Sequence, residues 1–145
     1  MIAAQVFSIA NPFALLGWIV LIAAILLGRP FWRDTVAGLL WPLVLSVGYV
    51  TALSTGFASG GSGGSFSTLA GVRQLFTSDW ALLAGWVHYL AFDLFVGAWI
   101  AADTERRGIN RLVLIPVLPL TFLFGPAGFL LFCILRYVIP AGRAS

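Results

Sequence analysis

The chain has 145 residues, of which 61% are hydrophobic and 9% charged, with a mean hydropathy of +1.03. Ordinary soluble domains carry about 25% charged residues, so this composition places the chain in lipid and excludes an ordinary water-soluble domain. The net charge of +3 comes from eight arginines scattered between and at the ends of apolar runs, with no lysine and no basic block; that pattern excludes a nucleic-acid-binding surface and suits residues that orient a membrane protein.

A hydrocarbon core of about 30 Å needs roughly 20 apolar residues per helix, so the length accommodates about four spans in a single membrane domain. The fold class expected is an all-α membrane protein, a four-transmembrane-helix bundle with a kinked fourth helix. Asn11 and Pro12 read as the N-cap and first position of span one, over 12–27. No basic residue precedes this run, so it reads as a retained helix and not a secretory signal. No Arg/Ser-rich transit segment precedes it either. A bacterial inner membrane is therefore expected, or a thylakoid or other plastid membrane for a processed organelle protein.

"GRPFWRD" at 28–34 supplies a turn with two arginines and headgroup-level aromatics. Span two, over 35–57, carries Ser46, Tyr49, Thr51, Ser54 and Thr55, hydroxyls that serve helix packing or a polar site. The Gly/Ser stretch at 58–67 reads as a mobile connection. Apolar residues at 69, 72, 75 and 76 then fall at helical spacing, as for a short helix lying in the interface. Thr77 or Ser78 is placed to cap span three, over 79–102, with Asp79 in its first turn. Span four, over 112–137, contains Pro116, Pro119 and Pro126, which predict a kink near "FGPAG". Five arginines follow spans one and three, against Arg73, Arg136 and Arg143 on the other side. That count places the first group in the cytoplasm and both termini outside.

Span three holds the chain's one histidine, His88, and a midspan Asp93. They lie roughly 13 Å and 20 Å along the helix from Asp79. An ionised aspartate at that depth costs about 2.5–3.5 kcal/mol on insertion scales, so it must find partners, keep its proton, or face a wet cavity. Five positions separate the two by about 140° around a straight helix. Tyr89, one turn before Asp93, is placed to donate to its carboxylate. Partners for His88 are expected from span-two hydroxyls, from Thr121, or from carbonyls freed at the kink near Pro126. Together these define an expected site between spans two, three and four.

The stretch "LFTSDWALLAGWVHYLAFDLFVGAWIAAD" resembles the plant abscisic-acid-deficient-four family, in which Phe-Ser/Thr-Ser-acid precedes Trp-x-His-x-Leu-x-x-Asp-Leu-Phe and a further acid. The matching residues are Phe76 to Asp79, then Trp86, His88, Leu90, Asp93, Leu94, Phe95 and Asp103, without a gap. The family's Pro-x-Gly in its last span corresponds to Pro126 and Gly128. Thr104 departs from the glycine that usually follows the last acid. The resemblance covers about residues 69–138.

The family is associated with forming neoxanthin from violaxanthin, so the resemblance implies a protein that handles carotenoids or other isoprenoids. Opening an epoxide to an allenic alcohol delivers one proton to the epoxide oxygen and removes another from the polyene. Such an isomerase needs no cofactor. Burial disfavours the charged forms of both groups, which makes Asp93 the candidate acid and His88 the candidate base. Trp86, Tyr89, Phe92 and Trp99, with Thr121 and Pro126, are the candidate substrate-binding residues. The alternatives are a non-catalytic pigment-binding or assembly subunit and, third, a small carrier, which with so few spans requires a homo-oligomer. A metal site is not expected, because one histidine and one cysteine fall short of three or four ligands. The partners expected are membrane lipids and an isoprenoid ligand.

Overall fold

The computed structural model describes residues 2–60 and 63–139. Helix α1 (Ile2–Leu26) is followed by a π-helical segment, Trp32–Leu40, that continues into α2 (Trp41–Ala58). Then come the short α3 (Leu69–Leu75), the long α4 (Asp79–Arg106), a single 3-10 turn (Arg111–Val113), α5 (Leu114–Phe124) and α6 (Pro126–Val138). Among the described residues there is no strand. Three helices are long and apolar enough to cross a membrane: Ile2–Leu26, Trp32–Ala58 and Asp79–Arg106.

The first helix begins about ten residues earlier than expected and runs through Pro12. Asn11 is not its cap. Its amide donates to the Phe7 carbonyl (3.2 Å), and its Oδ1 accepts from Trp86 Nε1 (2.8 Å), tying α1 to α4. The wide turns of Trp32–Leu40 carry Arg33 inward, where it is buried and ion-paired with Asp34 and Glu105. The hydroxyls of Ser46, Thr51 and Thr55 all bond the carbonyl four residues back on α2. They are satisfied within the helix and build no polar site. Thr68 caps α3 through the Gly71 amide (3.0 Å); Ser78 is the N-cap residue of α4 but makes no side-chain cap bond. Of the connection at 58–67, residues 61 and 62 lie outside the described residues.

Helix α4 is the centre of the packing. Its buried face carries small residues, Ala84, Ala91, Gly97, Ala98 and Ala101, which let neighbours approach closely. The Trp18 ring of α1 covers Gly97 and packs edge-on to Phe122 of α5 (5.4 Å). Trp41 Nε1 donates to the Phe13 carbonyl (2.8 Å), fixing α2 against α1.

The expected single, kinked fourth helix is corrected. Residues 112–137 form two helices of 11 and 13 residues, about 16 Å and 20 Å long at 1.5 Å per residue, and neither reaches the roughly 30 Å of a hydrocarbon core. They fold back on each other. Gly128 sits against Thr121, and Val117 and Leu114 share one core with Phe132. Against α4, Gly125 lies at Asp93, Phe129 and Phe132 lie at Trp99, and Arg136 lies at Asp103. Helix α6 therefore runs back in the same direction as α4, and its last turn lies at the arginine-rich end. The start of α1 packs near Asp79 and Trp86, so Ile2 and Val138 lie at opposite ends of the molecule. The reason is local. A proline alone bends a helix, whereas Gly125 directly before Pro126 lets the backbone leave the helical path altogether.

Candidate functional site

Gly125 interrupts the helix, and Pro126 brings no amide hydrogen, so carbonyls in the last turn of α5 lose their helical donors. The Tyr89 hydroxyl replaces them, donating to the carbonyls of Leu123 (2.5 Å) and Phe122 (3.2 Å). One turn further along α4, Asp93 is 6% exposed and its carboxyl group presses directly on Gly125, at the N-terminus of α6. That end of a helix carries a partial positive charge and favours an acidic group. Asp93 Oδ2 has no hydrogen-bond partner among the described residues. Thr121 is fully buried beside this contact, and its hydroxyl donates to the Val117 carbonyl (2.8 Å). Asp93, Tyr89, Thr121 and Pro126 thus gather at the hairpin tip, with Asp93 and Thr121 buried and Pro126 exposed.

His88 points elsewhere. It is exposed, stacks on Phe92 (centroids 4.6 Å apart, 28°) and lies 5.6 Å from the Tyr49 ring of α2. It forms one edge of a groove of about 240 Å³ between α2, α4 and the α3 region, walled by Tyr49, Leu53, Phe57, Phe66, Leu75 and Phe76. The groove floor is made by Ala81, Ala84 and Gly85, with Ser78 at its outer end. The pocket expected to be shared by His88 and Asp93 does not form, because the 140° between them is kept by a straight α4 and each side chain faces a different neighbour.

The remaining sequence-predicted residues disperse. Trp86 is exposed on the α1 side, bonded to Asn11 and beside Phe7 (5.9 Å). Phe92 borders the groove only through its stack on His88 and also faces a separate cleft with Leu43, Ser46 and Phe95. Trp99 belongs to the far end of α4, between Phe129, Phe132 and the guanidinium of Arg136 (5.8 Å). There Asp103, nearly buried, pairs with Arg107 (2.8 Å), Arg136 (3.4 Å) and Arg106 (3.6 Å).

The groove residues Ala81, Ala84 and Gly85 escape a reading based on polar groups, whereas Tyr49 is one of the span-two hydroxyls such a reading includes. A signal for the first three exists: with His88 they fall at i, i+3, i+4 and i+7, a small-residue stripe along one helical face that ends on the imidazole.

Two further membrane-length helices packed on α4, with the α5–α6 hairpin folded against it at Asp93, define an all-α protein with three helices long and apolar enough to cross a membrane. Residues 5–132 match the model of the family described as ABA DEFICIENT 4-like, and the chain belongs to this ABA4-like family. The match takes in α1 and α2 as well as the second-half motif. Within that motif, the aspartate and the Pro-x-Gly segment are the two sides of the hairpin-tip contact. No curated protein and no solved structure matches the chain.

Proposed function

We propose that this chain is an integral membrane protein that binds one end of a carotenoid or related isoprenoid in the His88 groove. The observation that carries the reading is the groove itself: an aromatic-walled slot ending on the chain's one imidazole, within the motif that carries the family resemblance. From Ser78 to His88 the slot follows about 15 Å of helix, so it takes a chain terminus and leaves the remainder of the molecule in lipid. His88 offers a hydrogen bond to an oxygenated end group there. In the membrane, α1, Trp32–Ala58 and α4 cross, and α5 and α6 form a re-entrant hairpin in place of a fourth crossing. Irregular backbone at that depth is tolerated because protein covers it.

The reading as an isomerase keeps His88 as base and asks Asp93 to serve as acid. A single substrate in the groove meets His88 and not Asp93, whose carboxyl group faces Gly125. This geometry supports binding ahead of two-group acid–base catalysis.

Expression in a carotenoid-producing host tests the assignment. Purified protein is expected to carry pigment visible in its absorption spectrum. Ala81→Trp, which fills the groove, is expected to lose most of it, and His88→Ala is expected to retain hydrocarbon carotenes while losing oxygenated ones several-fold. A folded but colourless preparation, or pigment indifferent to Ala81→Trp, overturns the site. A host pigment profile changed by the wild type and restored by His88→Ala would instead establish catalysis.

A further inference from the structure

A second and larger groove lies on another face of the bundle, between α1 and α5, with a volume of about 530 Å³. That is within the roughly 300–1,000 Å³ of ligand-sized pockets. Its walls are aliphatic and aromatic except at one end, where Asn110 and Arg111 stand. The other end is closed by Trp18 and Phe122, which pack edge to face. Between Leu26 and Leu15 of α1 it runs about 16 Å, half the thickness of a roughly 30 Å hydrocarbon core. It is bounded at that depth because α5 ends at the hairpin tip.

The charge at this end of the bundle, where Arg111 lines the groove and Arg29 the adjoining cleft, is unbalanced. Arg33 is paired with Asp34 and Glu105, and Arg106, Arg107 and Arg136 are paired with Asp103. Arg29 and Arg111 have no carboxylate partner among the described residues. Arg111 makes one bond, to the Ile25 carbonyl (3.2 Å), and shares the wall of a small cleft with Arg29, Arg33 and Glu105.

We propose that this groove is a binding site for an anionic phospholipid, one acyl chain lying along α1 and α5 and the phosphate held by Arg111 and Arg29. The half-membrane length argues for the chain of one leaflet, and the paired state of the neighbouring arginines leaves these two for the headgroup. The proposal is independent of the His88 groove.

The test is native mass spectrometry of delipidated protein titrated with phosphatidylglycerol, phosphatidylcholine of the same acyl chains, or farnesyl diphosphate. Wild-type protein is expected to prefer phosphatidylglycerol over phosphatidylcholine by about tenfold or more, the order two arginines near a headgroup supply. The Arg29→Gln/Arg111→Gln variant is expected to lose the preference while still binding both lipids weakly. Ile22→Trp, which fills the groove at an exposed position, is expected to weaken both, and both variants are checked for a native elution profile and helix content. Equal affinity for the two phospholipids, or a preference that survives in the double glutamine variant, overturns the site. Tighter binding of farnesyl diphosphate than of phosphatidylglycerol overturns the phospholipid as occupant.

Discussion

A β-carbon on Gly125 would overlap the Asp93 carboxyl group, so any larger residue here must push that carboxyl group aside. Gly125→Ala is expected to destabilise the protein by about 1–3 kcal/mol, the usual range for overpacking. Asp93→Ala in the same chain is expected to return part of that loss, because two residues in contact do not behave additively. Thermal unfolding of the three variants in detergent measures this, and strictly additive losses would mean that the hairpin tip does not rest on Asp93. The contact also explains how α4 accepts an aspartate at midspan. The carboxyl group is buried and faces the N-terminal end of α6. That the aspartate needs shelter was legible from its depth in an apolar run. Which element shelters it was not, since Gly125 is 32 positions away and carries no side chain to signal a partner.

Pro116, Pro119 and Pro126 all pointed to irregular backbone between 112 and 137, and the irregularity is there. Its form is a reversal. Pro119 sits inside α5 without ending it, while Gly125 before Pro126 ends one helix and starts another. Local chemistry is similar for a bend and for a turn-back, and the choice rests on long-range contacts, Trp99 with Phe132 and Asp103 with Arg136, which periodicity does not encode. The long helices were legible because each presents an unbroken apolar run, although α1 extends past Pro12 and the second acquires π-turns around buried Arg33. Cysteine labelling separates reversal from crossing. In a Cys133→Ser background, Tyr137→Cys, at a position 85% exposed, is expected to react with a membrane-impermeant maleimide from the same side as Asn110→Cys, and Ser78→Cys from the opposite side. Reaction of position 137 from the side of position 78 would restore a fourth crossing.

Returning α6 to the arginine end changes the charge balance across the protein. Arg29, Arg33, Arg106, Arg107, Arg111 and Arg136 now share one end, leaving Arg73 at the other among the described residues, a wider asymmetry than four crossings would give. The same end is where the helices are tied together: Arg33 links the π-helical segment to Glu105 on α4, and Arg136 links α6 to Asp103 on α4. The Asp103–Arg136 pair is the sheltered one, with side chains 11% and 17% exposed, whereas Arg106 and Arg107 are 63% and 41% exposed and add little through solvent-screened pairing. Removing one partner of a sheltered pair strands the other charge. Asp103→Asn is therefore expected to cost about 3 kcal/mol and to free the end of α6, seen as faster hydrogen exchange over residues 130–138 with α1 unaffected. Arg136→Met added to Asp103→Asn is expected to recover much of the stability, since no buried guanidinium then lacks its carboxylate. Equal losses in the single and double variants, with exchange in α6 unchanged, would mean that the hairpin is held by its apolar contacts with Trp99 and not by this ion pair.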